Sequence, residues 1–258
     1  MKITVVTVCF NCATEIEATI KSVVNQSYRD LEYIIIDGGS SDGTLVILEK
    51  YSDCISKIVS EPDKGIYDAM NKATDLATGE WINFMNAGDT FANEYVIENF
   101  FRIADLKEPN DILYGDTILK YPFGSYYRDC RPTGTKHRWC HQSMFIRTSV
   151  IKKFRYDLSF KIRADYNFVV KATDNGSNIR YVPTVVACYK NYDGLSSTRS
   201  DLFAEETYII ENKPKDWKYW LFKLDYFRRH TLHLYCFWKN TESRIKNSID
   251  KNPRLKKM

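Results

Sequence analysis

Apolar runs and amphipathic stretches alternate along the first half of this chain. Residues 3–9 and 31–37 contain short apolar runs, which predict strands. Stretches with the apolar spacing of helices follow them, so the pattern predicts βαβ units and a mostly parallel sheet. The predicted strands are 3–9, 31–37, 55–59, 80–86 and 111–118, and the predicted helices lie near 13–26, 43–51, 65–77 and 93–105.

The pattern becomes irregular after residue 119, where two Pro- and Gly-containing turn signals bracket an excursion. Beyond it we expect a strand at 142–147, a helix at 164–175, and one or two strands at 181–189. Residues 191–200 are polar and contain Gly, Ser and Arg, which predicts a loop.

Charge divides the chain into an acidic body and a basic tail. Residues 213–258 hold 13 Lys and Arg against 4 Asp and Glu, a net charge of +9. Because the whole chain is +4, residues 1–212 carry a net charge of −5. We therefore expect an α/β domain over 1–212 and a helical tail over 213–258.

The tail is aromatic as well as basic. Apolar residues such as Trp220, Leu224 and Phe227 fall on one helical face, with Lys and Arg beside them. Trp, Tyr and basic residues favour membrane interfaces, so the tail is a candidate for contact with a membrane surface. The alternative is a helix that packs on its own domain or on a second subunit in a homodimer. Nucleic acid is disfavoured, because the basic residues are interleaved with apolar bulk and the body is acidic.

Three acidic residues follow predicted parallel strands. Asp37 ends the second strand in a loop of Gly and Ser, and Asp63 and Asp89 follow the third and fourth strands. The carboxyl ends of parallel strands meet at one edge of a sheet, which is where ligands bind in such folds. Carboxylates can face a phosphate ligand when a cation lies between them, and Mg²⁺ or Mn²⁺ suits this arrangement. We expect Asp37 to face solvent there and to accept hydrogen bonds from a nucleoside.

The chain lacks the sequence motifs of other nucleotide-binding classes. The chain has no G-x-G-x-x-G, no G-x-x-x-x-G-K-[ST] and no G-x-S-x-G. Nucleotidyltransferases usually carry a Gly-rich stretch with Arg and Lys near the N-terminus, where this chain has Asn11-Cys12-Ala13-Thr14-Glu15.

Several motifs in order resemble the family 2 glycosyltransferases with the GT-A fold, and most closely the bacterial enzymes that assemble O-antigen, capsule and other surface polysaccharides. The resemblance covers roughly residues 1–200. It rests on Thr7-Val8-Cys9-Phe10-Asn11, Asp37-Gly38-Gly39-Ser40-Ser41-Asp42-Gly43-Thr44, the stretch Ser60–Ala73, the stretch Gly79–Asp89, His141–Ile146 and Ala164-Asp165-Tyr166.

The resemblance implies a site residue by residue. Phe10 occupies the aromatic position that packs on the nucleotide base, with the backbone near Thr7 and Val8 beside it. Asp37 and Asp63 match positions that hold uridine.

The resemblance also implies the metal and catalytic residues. Asp89 matches the acid that binds the divalent ion at the diphosphate, and Asp165 matches the catalytic base. Partial burial among apolar neighbours would raise the pKa of Asp165 toward that of a useful base. His141 and Arg199 are candidates for phosphate or acceptor contacts, although His141 is equally a candidate scaffold residue.

Two glycines depart from the family pattern. Many members carry Asp-Asp where this chain has Asp37-Gly38, and a further acid where it has Gly88. Because the acid that usually contacts the ribose is absent at residue 88, ribose recognition would fall to backbone, water or Asn86.

The expected function is therefore an inverting, metal-dependent transfer of a sugar from a UDP-linked donor to a saccharide acceptor on a polyprenyl lipid. The alternatives are a nucleotidyltransferase and a non-catalytic sugar-nucleotide-binding subunit of a polysaccharide assembly complex. The N-terminus predicts a strand rather than a secretory signal, and no apolar run approaches the roughly 20 residues that span a bilayer. We expect a cytoplasmic protein that is peripheral to the inner face of the plasma membrane.

Overall fold

The strand at residues Ile3–Cys9, β1, lies inside the sheet and is buried along its whole length. A computed structural model describes residues 1–104, 106–108, 110–134, 138–190, 200–212, 220 and 255–257. The other strands in that part of the chain are β2 (Leu31–Asp37), β3 (Lys57–Ser60), β4 (Trp81–Phe84), β5 (Thr90–Phe91), β6 (Ile112–Tyr121), β7 (Gly124–Arg128), β8 (Met144–Arg147), β9 (Ile179–Lys190) and β10 (Leu255–Lys257). The α-helices there are α1 (Ile16–Val24), α2 (Thr44–Lys50), α3 (Ile66–Leu76), α4 (Val96–Ile103), α5 (Thr148–Phe154), α6 (Ala164–Asp174) and α7 (Ser200–Ile210).

Helices cover both faces of the sheet because the side chains of its inner strands alternate between two apolar clusters. Val6 and Val8 of β1 pack in one cluster with α3, α5 and α6. Ile3 and Val5 pack in the other with α1, α2 and α4. Each inner strand is therefore buried at nearly every position, and this layered architecture confirms the predicted α/β class.

The N-terminal half of the sheet is parallel and has the order β4-β1-β2-β3. Its register pairs Cys9 with Asp37 and Asp37 with Ser60, so these strands end at the same edge. The loops after β1, β2, β3 and β4 meet there, as the sequence predicts.

The second half of the sheet is mainly antiparallel, which strand–helix alternation did not predict. β8 pairs antiparallel with both β4 and β6, and β6 and β7 form a hairpin. β9 is a single strand that runs parallel to β6 and antiparallel to β5. The excursion after residue 119 is thus a hairpin, whose second strand buries only Tyr126 and so has little apolar signal.

The tail is described at Trp220 and at 255–257, where β10 pairs antiparallel with β7. Most of the predicted 213–258 helix lies outside the described residues, as do the 191–199 part of the predicted loop and Arg199. Among the described residues, no helix is both long enough and apolar enough to span a bilayer.

Candidate active site

An open cavity of about 630 Å³ lies beyond the carboxyl ends of the parallel strands. Asp89, from the loop after β4, and Asp165, from the first turn of α6, both line it. Asn86 and His141 line it as well. The fold therefore brings four of the residues expected from the sequence into one cavity.

Asp89 is buried, with 8% of its surface exposed. Burial raises the pKa of this carboxyl to about 6. A hydrogen bond from Gln142 lowers the pKa, but the effect of burial is larger. Gln142 Nε2 donates to Asp89 Oδ2 at 2.8 Å, and the Asp89 carbonyl accepts a hydrogen bond from Thr19 Oγ1 at 2.7 Å. A buried carboxylate with few donors around it is poised to gain from a cation.

His141 connects Asp165 with Asn86. Its Nδ1 atom lies 3.4 Å from Asp165 Oδ2, and its Nε2 atom lies 2.9 Å from Asn86 Nδ2. Asp165 is not the N-cap of α6, because Arg163 occupies that position. The carboxylate of Asp165 thus remains at the cavity wall, with about a fifth of its side chain exposed.

Arg163 packs between two aromatic rings beside Asp165. Its guanidinium lies 4.1 Å from the ring centroids of both Tyr166 and Phe203. Glu206 of α7 is buried and accepts hydrogen bonds from the backbone N–H groups of Lys161, Ile162 and Arg163, at 2.6–3.0 Å. These contacts hold the segment that leads into Asp165, and no local sequence signal pointed to Glu206.

Asp37 differs from the sequence-based expectation. Its side chain has no exposed surface, so the prediction that it faces solvent is wrong. The carboxylate accepts hydrogen bonds from the N–H groups of Gly39 and Ser40 and from the hydroxyls of Ser40 and Ser60. Burial alone would raise the pKa of Asp37, but these hydrogen bonds outweigh it and hold the pKa below its usual value. Asp37 therefore orders the loop through these hydrogen bonds.

Phe10 and Asp63 lie together at the mouth of this loop, outside the cavity lining. Phe10 is 62% exposed. A Cβ atom placed on Gly38 would lie 2.7 Å from Asp63 Oδ2 and 3.3 Å from Phe10 Cδ2. The carboxylate of Asp63 thus takes the space of the side chain that residue 38 lacks.

Thr7 and Val8 are buried within β1. Thr7 Oγ1 donates to the Met85 carbonyl at 2.8 Å, and the Val8 carbonyl accepts from Ala87 N–H at 3.2 Å. Their side chains support the sheet, so only the nearby backbone is placed to contact a ligand.

The cavity carries more cationic than acidic side chains. Five basic residues line it, against the carboxylates of Glu15, Asp89 and Asp165. The basic residues are Arg128, Arg138, Lys161, Arg163 and Lys190. Such a lining suits an anionic ligand with phosphate groups. Sequence reasoning missed these residues because they come from four separate places in the chain.

Within the described residues, no group of three or more His, Cys, Asp or Glu side chains could hold a metal ion alone. The donor set still fits Mg²⁺ or Mn²⁺, which take one or two carboxylates and complete their shell with water and phosphate oxygens. Asp89 supplies a carboxylate. The buried Asn86 Oδ1 atom has no hydrogen-bond partner among the described residues and offers a second hard oxygen.

Comparisons with known proteins agree with this architecture. The family model described as Glycosyl transferase family 2 matches residues 4–162. A "PGL/p-HBAD biosynthesis glycosyltransferase" of Mycobacterium tuberculosis is 33% identical over 202 residues, covering 74% of this chain and 77% of that protein. A "Cholesterol galactosyltransferase" of Borreliella burgdorferi is 38% identical over 91 residues, which is 34% of this chain and 25% of that protein.

Two solved structures share the fold. S. aureus TarS 1-349 in complex with UDP-GlcNAc superposes with a TM-score of 0.65 at 19% identity, over 77% of this chain and 61% of that one. The mannosyltransferase PcManGT from Pyrobaculum calidifontis, in complex with GDP-Man and Mn²⁺, gives 0.61 at 17% identity, over 80% of this chain and 64% of that one. The chain therefore spans just under two thirds of each, and both matches confirm the GT-A-like fold.

Proposed function

This chain belongs to glycosyl transferase family 2, and from that premise we propose that it transfers a sugar from a UDP-linked donor to a saccharide acceptor with inversion at the anomeric carbon. The observation that carries the proposal is the meeting of Asp89 and Asp165 in one cavity, although they lie far apart in the sequence. Family membership favours this reaction over nucleotidyl transfer.

The nucleotide end of the donor lies at the loops after β1, β2 and β3. The exposed ring of Phe10 stacks on the base, and the Asp63 carboxylate beside it accepts hydrogen bonds from uridine. Asp37 holds this loop in shape from beneath. The backbone near Thr7 and Val8 would lie beside the nucleotide, and Asn86, which lines the cavity, would lie near the ribose.

Negative charge develops on the departing diphosphate during sugar transfer. Asp89 and Asn86 Oδ1 would hold a Mn²⁺ or Mg²⁺ ion there, which would stabilise this charge without a proton donor. The basic side chains of the cavity add further stabilisation of the phosphate oxygens. Arg199, which lies outside the described residues, is a further candidate for this contact.

Asp165 acts as the base that takes the proton from the acceptor hydroxyl. Asp165 lies in the first turn of α6, and His141 holds the carboxylate in position. Attack opposite the leaving group inverts the anomeric centre.

We further propose that the acceptor is a saccharide carried on a polyprenyl lipid in surface polysaccharide synthesis. The support is the resemblance to surface-polysaccharide enzymes and the basic, aromatic composition of 213–258. That segment would then hold the enzyme at the inner face of the plasma membrane, and a homodimer contact through the same segment is the competing role.

A panel of nucleotide sugars tests the function directly. UDP-linked sugars should raise the melting temperature more with Mn²⁺ than with EDTA, because a ligand of the folded state stabilises it by mass action. The stabilising donor should release UDP on incubation with Mn²⁺, and Asp89→Asn should lose both effects. A protein that binds the donor but neither hydrolyses nor transfers it would be a non-catalytic binding subunit.

A further inference from the structure

Gly88 leaves a space that another residue fills. The backbone of Gly88 has a φ of +92°, and a Cβ atom placed on it would lie 3.0 Å from Glu15 Oε2 and 3.7 Å from Glu15 Cδ. Glu15 immediately precedes α1 and makes no capping hydrogen bond there with its side chain. Its carboxylate therefore lies where a side chain at residue 88 would project.

Two carboxylates come together at this point of the cavity. Glu15 and Asp89 both line the cavity, and the Glu15 carboxylate lies beside Gly88, the residue that precedes Asp89. The ammonium group of Lys190 forms an ion pair with Glu15, and the Lys190 backbone N–H donates to Asp89. Neighbouring carboxylates repel each other, so a cation between them is favourable. Here the Lys190 ammonium group neutralises part of this negative charge.

Asn86, which lines the same cavity, carries a buried side-chain oxygen without a partner among the described residues. Asn86 is only 8% exposed, its Nδ2 atom is engaged with His141, and its Oδ1 atom has no hydrogen-bond partner within the described chain. A buried carbonyl oxygen without a donor is costly unless a ligand completes it. Amide and carboxylate oxygens together form the hard donor set that Mg²⁺ and Mn²⁺ prefer.

We propose that Glu15 is a second carboxylate ligand, beside Asp89, for the divalent cation that accompanies the donor diphosphate. The inference rests on the proposed function, since it assigns a further ligand to the same cation. Lys190 pairs with Glu15 in the absence of the ion and releases it when the ion binds. Glu15 thus brings a second carboxylate to the space that Gly88 leaves open, beside Asp89.

The test uses the full-length protein and titrates UDP by calorimetry in the presence of Mn²⁺ or of EDTA. In wild-type protein Mn²⁺ should strengthen UDP binding. Glu15→Gln should reduce this Mn²⁺-dependent gain by about 10- to 100-fold, while UDP affinity in EDTA stays the same. Glu49→Gln, an exposed residue of α2, is the matched control and should remain within about twofold of wild type.

A second variant measures the ion pair independently. Lys190→Gln should strengthen the binding of Mn²⁺ alone, followed by the loss of the free-ion electron paramagnetic resonance signal, because the competing ammonium is gone. Thermal melts of all variants establish that they are folded.

Three outcomes would overturn the inference. If Glu15→Gln keeps the full Mn²⁺-dependent gain while Asp89→Asn loses it, the ion is bound without Glu15 and the proposed function survives. If Glu15→Gln weakens UDP equally in Mn²⁺ and in EDTA, the residue contacts the nucleotide instead. If Mn²⁺ leaves UDP binding to wild-type protein unchanged, the metal dependence in the proposed function fails with it.

Discussion

The Nδ1 atom of His141 lies 3.4 Å from the Oδ2 atom of Asp165. The opposite ring nitrogen, Nε2, lies 2.9 Å from the amide nitrogen of Asn86, which can only donate. Nε2 must therefore accept, and the ring proton of a neutral His141 lies on Nδ1, facing Asp165. The imidazole thus ties the carboxylate proposed as the base to the loop that also carries Asp89.

Asp165→Asn tests the base. The substitution keeps the shape of the side chain and removes its basicity, so turnover should fall by about 10²–10⁴-fold while donor affinity stays nearly unchanged. Steady-state transfer rates and UDP-sugar titrations measure the two effects. Asp174→Asn, at the other end of α6, is the control and should be close to wild type. Normal turnover in Asp165→Asn would remove the residue from the mechanism.

Asp37→Asn tests the buried carboxylate as a structural element. The variant lacks the charged hydrogen bonds of the carboxylate, so its free energy of unfolding should be lower by about 2–4 kcal/mol at pH 7. Because the pKa of Asp37 is lower in the folded than in the unfolded chain, this stabilisation is present above the unfolded pKa and disappears as the pH falls through the folded pKa. The difference in the free energy of unfolding between wild type and variant should therefore become smaller below about pH 4.

Urea unfolding over a pH series measures this difference, with the exposed Asp53→Asn as control. Equal stability of wild type and Asp37→Asn at pH 7 would contradict the structural role.

Phe10→Ala tests the stacking platform. Stacking of a base on an aromatic ring contributes about 1–3 kcal/mol, so UDP should bind roughly 5- to 150-fold more weakly. Because the ring is 62% exposed, the melting temperature of the free protein should hardly change. Tyr95→Ala, which removes another exposed ring (52%), should leave UDP affinity intact. An unchanged affinity in Phe10→Ala would place the base elsewhere.

The tail is best tested by charge removal, because truncation would also delete β10 from the sheet edge. Each Lys or Arg near an anionic membrane contributes about 1 kcal/mol, so Lys223→Gln/Arg228→Gln/Arg229→Gln should weaken vesicle binding by about 100-fold. Sedimentation with phosphatidylglycerol vesicles measures binding, which should also weaken as salt rises.

Lys50→Gln/Lys57→Gln/Lys171→Gln removes the same charge from the body of the protein and should bind like wild type. The wild-type protein could instead fail to bind the vesicles and sediment as a dimer. If the tail variant then sediments as a monomer, the tail is a subunit contact.

Sequence periodicity was sufficient for the layered part of the fold. β1 and β2 are mostly apolar because both faces of these inner strands are covered, and their predicted bounds, 3–9 and 31–37, agree with the structure. The position of Asp89 after a predicted parallel strand was also sufficient to expect it at the sheet edge, whereas Asp165 was expected only from the family resemblance.

Only the tertiary structure decided how the carboxylates are used. Asp37 lies at the end of a strand as expected, but its carboxylate is buried and accepts hydrogen bonds from five donors. The order of residues along the chain does not show this burial. Glu15 and Asp63 fill the spaces at Gly88 and Gly38, although each comes from a different loop than the glycine it faces. A sequence records which side chains a loop carries, whereas their distances depend on how separate loops pack at the sheet edge, and that packing is a long-range property of the whole fold.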